Sequence, residues 1–182
     1  MFHHRIDGRV ELRQLAAGDA VELFDLTDAN RARLRQWMPW LDGTKSAADT
    51  AAFIQSALRQ HEAGQGFTSG ILVDGVIGGV IGYHEISRAN RRTSLGYWLA
   101  AAHEGHGIVT RACRALVQHA FTELDLNRIE IRCAGGNVRS CAVPERLGFR
   151  REGLLREAEW LYDHFVDHVV FGLVRSEWSA LG

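Results

Sequence analysis

Hydrophobic and polar residues follow two periods along the chain. Strict alternation, as in residues 9–15, is typical of a half-buried strand, whereas apolar residues three and four positions apart are typical of an amphipathic helix. The alternating and apolar runs predict strands at residues 9–15, 67–73, 76–86, 92–100, 128–133, 151–162 and 167–174. The helical periods predict helices at residues 19–38, 46–61, 108–124 and 137–147.

Turn-forming residues separate these elements. Asp74-Gly75 favours a two-residue hairpin between two strands, and Gly148 fits the left-handed position after the last helix. Pro39 ends the first helix, and Pro144 is expected early in the last one, where its missing N–H costs little. An antiparallel meander that crosses through a helix to a parallel strand pair predicts an α+β fold. We expect one domain, residues 1–182, with a mixed central sheet of about seven strands flanked by about four helices.

The composition excludes several classes of protein. The 182 residues, 46% hydrophobic and 24% charged, suffice for one buried core. A net charge of -1 argues against a nucleic-acid binder that works by bulk electrostatics, and no apolar run approaches the roughly 20 residues of a membrane span. Residues 1–6 lack the apolar stretch of a signal peptide. The cysteines, Cys113, Cys133 and Cys141, are odd in number without a Cys-x-x-Cys pair, so we expect reduced thiols in a cytoplasmic protein.

The segment from Trp98 to Thr110 points most directly to a ligand. Its apolar strand pattern leads to two glycines, Gly105 and Gly107, and a helical pattern starts directly after them. Glycines let the backbone come close to a ligand, while the first N–H groups of a helix lack a partner and the helix dipole favours an anion. This turn therefore predicts a site for a phosphorylated cofactor.

Other sites built on such a turn fit the sequence less well. The P-loop pattern Gly-x-x-x-x-Gly-Lys-Ser/Thr is absent, and in the dinucleotide pattern Thr110 replaces the third glycine and the next strand ends without an acid. The His-Glu-Gly-His run at residues 103–106 contains a glycine that disfavours the rigid helix of a zinc site, so no metal is predicted. A glycine-rich turn without a ligand is the remaining alternative.

Three features together resemble the GNAT superfamily of acyl-CoA N-acyltransferases. They are the glycine turn, the order of elements, and the run from Asn137 to Phe149, which has the form Asn-x-x-Ser followed by a short helix that ends in Leu-Gly-Phe. Residues 96–99 and 157–160 resemble the RimJ/RimL branch, which acetylates the N-termini of ribosomal proteins. Residues 30–42 resemble a segment of a bacterial sub-branch.

The resemblance implies that acetyl-CoA lies between the strands that end at Leu99 and Cys133. The cofactor-binding residues would then be Trp98, Leu99, Ala100, Gly105, His106, Gly107, Ile108, Val109, Thr110, Asn137 and Ser140. The chain departs from the family pattern at Glu104, which replaces the usual Gln or Arg, and at Val109, which replaces a small residue. An acid that points towards a diphosphate would weaken its binding.

The resemblance also assigns catalytic roles to two residues. Ser140 would protonate the leaving thiolate, and Glu159 would steer water to the attacking amine, with Glu157 as an alternative on the same strand face. Helix capping by Asn137 and Ser140, and an exposed charged strand edge at the two glutamates, are the structural alternatives. Transfer is expected by direct attack of the amine in a ternary complex, without an acyl-enzyme.

The acceptor is expected to be a primary amine, and amine basicity favours a protein N-terminus. Roughly a quarter of α-amines with a pKa near 7.7–8.0 are neutral at pH 7.4, against about 0.1% of lysine amines. A small amine such as an antibiotic or polyamine, and a non-catalytic domain that binds acyl-CoA, are the alternatives. The substrate-binding candidates are Trp37, Trp40, His84 and Tyr97. Core or dimer packing is the other interpretation of the aromatic residues, and a homodimer is compatible with them.

Overall fold

A mixed sheet runs through the computed structural model, which describes residues 2–179. The strands are β1 (His3–Arg5), β2 (Val10–Gln14), β3 (Phe67–Val73), β4 (Val76–Tyr83), β5 (Arg92–Leu99), β6 (Arg128–Ala134), β7 (Arg150–Leu161) and β8 (His164–Val174). Their order in the sheet is β1-β2-β3-β4-β5-β6-β8-β7, with β5 and β6 parallel and the other neighbours antiparallel. The helices are α1 (Ala20–Ala29), α2 (Arg31–Leu34), α3 (Ala47–Glu62), α4 (Ile108–Thr122), α5 (Val138–Arg146) and α6 (Arg175–Ser179).

The α+β architecture is confirmed, with more elements than the sequence predicted. Within residues 2–179 the sheet has eight strands, because the short, exposed β1 pairs with β2 although it carries no hydrophobic pattern. The same residues form six α-helices instead of four, since α6 follows β8 and the helix predicted at 19–38 divides at Asn30. The Asn30 amide donates to the Leu26 carbonyl (2.8 Å) and its Oδ1 accepts the Ala101 N–H (2.9 Å). The end of α1 is therefore fixed to the loop that follows β5.

Helices cover both faces of the sheet. On one side, which we call the α4 face, α4 and α5 bury an apolar layer that includes Leu116, Ile131 and Phe171, none more than 1% exposed. On the other side, which we call the α1 face, α1 and α3 pack Leu23 and Ile54 against β3 and β4. Burial of both apolar layers stabilises the sheet from either side.

The two parallel strands pair along only part of their length. Arg92–Leu95 of β5 pairs with Arg128–Ile131 of β6, whereas Gly96–Leu99 and Arg132–Ala134 continue beyond the last pair. This register opens a cleft in the sheet between the C-terminal ends of β5 and β6. Backbone N–H and C=O groups that line such a cleft are available to a ligand. Since α4 follows β5 and α5 follows β6, both helices begin at the mouth of the cleft.

Candidate active site

The turn after β5 leads through two glycines directly into α4, as the sequence predicts. A short 3-10 turn at Ala101–His103 comes first, and Gly105 and Gly107 then have φ angles of +79° and +68°, which favour glycine. Gly107 is the N-cap of α4 and provides no side chain, and a bond from the Arg111 N–H to its carbonyl (3.1 Å) starts the helix. The N–H groups of Ile108–Thr110 therefore have no partner within the helix.

Glu104, which precedes these glycines, lies between two arginines. Its carboxylate forms ion pairs with Arg33 of α2 and with Arg139 of α5, the latter at 2.7 Å between Oε2 and Nη1. The Arg139 side chain is 82% exposed, whereas Nη1 of Arg33 is buried and lacks a hydrogen-bond partner among residues 2–179. Two guanidinium groups and one carboxylate carry a net positive charge, so the acid does not make this turn anionic.

Ser140 lies at the start of α5, in contact with β5 and β6. Asn137 caps this helix by accepting the Ser140 N–H at its Oδ1 (3.1 Å), so the Ser140 hydroxyl is not the cap. That hydroxyl lies 3.2 Å from Sγ of Cys133 and 3.4 Å from the hydroxyl oxygen of Tyr97. A serine, a tyrosine and a cysteine thus meet at the base of the cleft.

A proline inside α5 leaves an acceptor for the Tyr97 hydroxyl. Pro144 is the seventh of the nine residues of α5, so its predicted place early in the helix is wrong. Without an N–H, Pro144 cannot donate to the carbonyl of Ser140 four residues earlier. The Tyr97 hydroxyl donates to that carbonyl instead, at 3.0 Å. This bond ties β5 to α5 directly beside the Ser140 side chain.

Burial keeps the members of this cluster in their neutral forms. Desolvation raises the pKa of the Tyr97 hydroxyl well above its usual range, and it raises the pKa of the Cys133 thiol to about 11. Cys133 is therefore a protonated thiol at neutral pH, which fits a structural role better than a nucleophilic one. Tyr97 and Ser140 both retain an O–H group that can donate.

The predicted substrate-binding residues do not form one wall. Tyr97 points to the α4 face and its neighbour Trp98 to the α1 face, because adjacent strand residues alternate. Trp40 lies against Trp98, with ring centroids 6.5 Å apart. The Trp37 ring packs against Gly136 in the turn after β6, where a Cβ added to this glycine would lie 3.5 Å from the ring. Trp37 and Trp40 therefore do not share a contact surface, and Tyr97 does not join the tryptophans.

His84 follows β4 and lies on the same face as Trp98. Its imidazole occupies the space above Gly96, where any Cβ would collide with the ring. Desolvation lowers the pKa of His84 below its usual 6.5, although one edge of the residue is exposed. His84 is therefore mostly neutral at pH 7 and is able to accept a proton.

An irregularity in β7 separates Glu159 from Glu157. The pairing with β8 shifts between Leu155 and Glu159, and Glu157 lies inside this bulge with a φ angle of +50° and its N–H bonded to a carboxylate of β8. The regular alternation behind the expectation that the two glutamates share a strand face does not hold within this bulge. Glu159 lies beside His168, with 3.3 Å between Oε2 and Nε2.

The segment after α2 is fixed to the β7–β8 hairpin. The hydroxyl of Tyr162 donates to the Met38 carbonyl at 2.5 Å, and the guanidinium of Arg35 lies 3.7 Å above the Tyr162 ring. Arg35 also donates to both carboxylate oxygens of Asp42, at 2.8 Å each. The segment that carries Trp40, which lies against Trp98, is thus fixed to a distant part of the chain.

Sequence reasoning missed several of these residues. The presence of Glu104 at a predicted anion-binding turn indicates that cations must lie nearby to compensate its charge. The sequence does not show that Arg33 and Arg139 are those cations. His168 and Tyr162 belong to an ordinary strand pattern and its turn, so nothing local distinguished them.

Residues 2–179 contain neither a membrane-spanning helix nor a cluster of metal ligands. Within residues 2–179, no helix has the length and hydrophobicity that crossing a membrane requires. In the same part of the chain, no three His, Cys, Asp or Glu side chains are grouped as metal ligands would be.

Known proteins share this architecture. The profile of the acetyltransferase (GNAT) domain matches residues 9–150. The chain is 38% identical over 182 residues to the putative ribosomal N-acetyltransferase YdaF of Bacillus subtilis, and the match covers 99% of each. It is 31% identical over 163 residues to the ribosomal-protein-serine acetyltransferase of Escherichia coli, which covers 90% of this chain and 91% of that one. The crystal structure of the microcin C7 self-immunity acetyltransferase MccE in complex with acetyl-CoA and AMP has a TM-score of 0.89 at 29% identity, covering 93% of this chain and 94% of that chain.

Proposed function

This chain belongs to the GNAT acetyltransferase family and uses acetyl-CoA as its acetyl donor, and we propose that it acetylates the α-amine of a protein N-terminus. The observation that carries the transfer reaction is the cleft between β5 and β6, with the glycine turn at its mouth and the Ser140 hydroxyl at its base. The names of both curated relatives support a ribosomal protein as acceptor.

The residues at this cleft fit acetyl-CoA. The free N–H groups at the start of α4 offer donors for a diphosphate, and Arg33 and Arg139 add positive charge beside them. Asn137 uses its Oδ1 as a helix cap, which leaves its amide N–H groups for the pantetheine arm. We assign to the cofactor Trp98, Leu99, Ala100, Gly105, His106, Gly107, Ile108, Val109, Thr110, Asn137 and Ser140. When bound, acetyl-CoA supplies a thioester that is activated towards amines.

The chain itself supplies proton transfer at two places. Ser140 donates its hydroxyl proton to the leaving sulfur, with the neutral Tyr97 hydroxyl 3.4 Å behind it. On the α1 face, Glu159 beside His168, together with neutral His84, receives the proton of the amine. These are weak bases, and they suit an α-amine because a sizeable fraction of such amines is already neutral.

Mass spectrometry of acetylated peptides tests the acceptor. Purified protein and acetyl-CoA are mixed with peptides that begin with Ser, Ala or Met, and with the same peptides blocked at the α-amine but carrying a free lysine. We expect acetylation and release of free thiol with the open N-termini and neither with the blocked peptides. Acetylation of lysine alone, or of no peptide, would contradict the proposal. Binding of acetyl-CoA without thiol release from any amine would instead point to a non-catalytic domain.

A small amine is the second candidate, favoured by one structural relative. MccE is described as a self-immunity acetyltransferase and was crystallised with AMP as well as acetyl-CoA. The Trp40–Trp98 pair offers an aromatic surface on which a nucleobase could stack. Quenching of tryptophan fluorescence by AMP, lost in Trp40→Ala, together with inert peptides, would decide for this candidate.

We also propose that the protein acts in the cytoplasm as a homodimer. Cys113, Cys133 and Cys141 are free thiols, which suits a reducing compartment. Trp160 and Phe165, 52% and 55% exposed, pack edge to face 4.8 Å apart on the hairpin of the edge strand β7, and exposed aromatic groups beside a strand edge are typical of interfaces. Sedimentation velocity should show a dimer for the wild type and a monomer for Trp160→Ser; a monomeric wild type would contradict this.

A further inference from the structure

We propose that Glu104 competes with the diphosphate of coenzyme A for two arginines, and so sets how tightly the cofactor is held. Its carboxylate is the partner of Arg33 and Arg139, and the diphosphate binds by taking these cations from it. This inference rests on the proposed placement of acetyl-CoA at the glycine turn.

The ion pairs of Glu104 with Arg33 and Arg139 lie beside the proposed site of the diphosphate. Glu104 stands next to Gly105, whose left-handed backbone starts the turn that leads into α4. Arg139 comes from α5 and Arg33 from α2, so the bridge joins the turn after β5 to the helix after β6. An anion held at the turn therefore lies close to both guanidinium groups. The fork of a guanidinium matches phosphate oxygens as well as carboxylate oxygens.

The net charge of these three side chains affects the affinity for a diphosphate. Arg33, Arg139 and Glu104 together carry one net positive charge, and they would carry two if the carboxylate were neutral. A diphosphate is more strongly attracted to the second arrangement. Arg139, with its side chain 82% exposed, exchanges partners at little cost, because exposed ion pairs are weak. Glu104 therefore lowers the affinity for the cofactor and favours release of product CoA.

The carboxylate at position 104 also has a use between reaction cycles. Arg33 is partly buried, and a buried cation without a counter-ion destabilises the fold. Glu104 supplies that counter-ion whenever the diphosphate does not. The acid that departs from the family pattern is thus a replaceable partner, and its affinity for the arginines is balanced against that of the cofactor.

Calorimetric titration with CoA tests the competition on the whole protein. Glu104→Gln keeps the shape of the side chain and removes its charge, and we expect it to bind CoA about tenfold more tightly, with slower dissociation in stopped flow. The matched control is Glu177→Gln. The Glu177–Arg150 and Glu104–Arg139 ion pairs both have an N–O distance of 2.7 Å. The exposed fractions of the two glutamate side chains are also close, at 24% for Glu177 and 25% for Glu104. The control should bind CoA like the wild type.

Two truncated cofactors separate the diphosphate from the rest of the molecule. Dephospho-CoA retains the diphosphate, so Glu104→Gln should bind it more tightly by the same factor. S-acetylpantetheine lacks the diphosphate, so its binding should not change. Equal or weaker CoA binding by Glu104→Gln, with a wild type that binds CoA, would overturn this inference alone. A wild type that binds no CoA would instead overturn the proposed placement of the cofactor.

Discussion

Replacing Ser140 by alanine tests the proposed proton donor most directly. The change removes the hydroxyl with its contacts to Cys133 and Tyr97, while the bond from the backbone N–H to Asn137 stays. We expect kcat to fall about 10²-fold, at the lower end of what a general acid contributes, because the leaving thiolate then departs without a proton. The dissociation constant of acetyl-CoA should change by less than about threefold.

The structure separates this loss from a simple loss of stability. The contact of the Ser140 hydroxyl with the Tyr97 oxygen, at 3.4 Å, is long for an O–H donor, and its contact with Cys133, at 3.2 Å, is made to sulfur, which is a weak acceptor. Their removal should therefore cost no more than about 1 kcal/mol of unfolding free energy. A 10²-fold fall in kcat corresponds to about 2.7 kcal/mol in the activation free energy. The catalytic effect should therefore exceed the structural one.

The assay measures free thiol release at saturating acetyl-CoA and acceptor, alongside thermal melting. Ser46→Ala is the comparison, because it deletes the N-cap of α3, which should cost about 1 kcal/mol of stability, and leaves the Ser140 hydroxyl and its contacts in place. If Ser140→Ala keeps kcat within threefold of the wild type, Ser140 is not the proton donor. If both variants lose kcat in proportion to their melting temperatures, the role of Ser140 is structural.

Three other substitutions and a pH profile follow from the same contacts. Tyr97→Phe and Pro144→Ala should each lower kcat without changing the affinity for acetyl-CoA. Since both changes act on the bond between the Tyr97 hydroxyl and the Ser140 carbonyl, kcat of the double variant should be no lower than that of the worse single variant. Additive losses in kcat would contradict this. Gly96→Ala forces its new methyl group into His84, so it should destabilise the fold by about 1–3 kcal/mol and raise the acceptor KM in steady-state kinetics. Desolvation lowers the pKa of His119 below 6.5, so the unfolded chain binds a proton at this residue more readily than the folded chain does. The contribution of neutral His119 to the free energy of unfolding is therefore present above pH 6.5 and should be lost as the pH falls. Melting temperatures from pH 7.5 to 5 should show this fall, and it should be shallower in His119→Gln.

Local features were those that the sequence predicted best. The start of α4 directly after Gly105 and Gly107 depends on adjacent residues, and the structure has it as predicted. The compensation of Glu104 depends on arginines that lie far apart in the chain, and periodicity carries no information about such partners. The acid therefore looked unfavourable from the sequence, while the fold supplies it with two cations.

Interruptions of regular structure explain most of the errors. The prediction that Glu157 shares a face with Glu159 takes β7 to alternate without a break. The structure has a bulge at residues 156–158, and no glycine, proline or other turn residue marks its position in the sequence. The sequence predicts Pro144 early in its helix, because a missing N–H costs little there. In the structure it occupies the seventh position, where the carbonyl that it leaves free is bonded by Tyr97 from another strand.

The alternation of β5 explains how one short strand can serve both halves of the proposed reaction. Tyr97 points to the α4 face, where Ser140 and Cys133 lie, and Trp98 points to the α1 face, where Trp40 lies. Under the proposed mechanism, thiol and amine chemistry lie on opposite sides of a backbone that is itself unpaired towards β6. A proton released by the amine on one face does not have to reach the sulfur on the other, because each face has its own donor or acceptor. In a direct transfer without an acyl-enzyme, the amine attacks the carbonyl carbon while the sulfur is still bonded to it, so the acceptor for the amine proton and the donor for the sulfur must both be in place in the same complex.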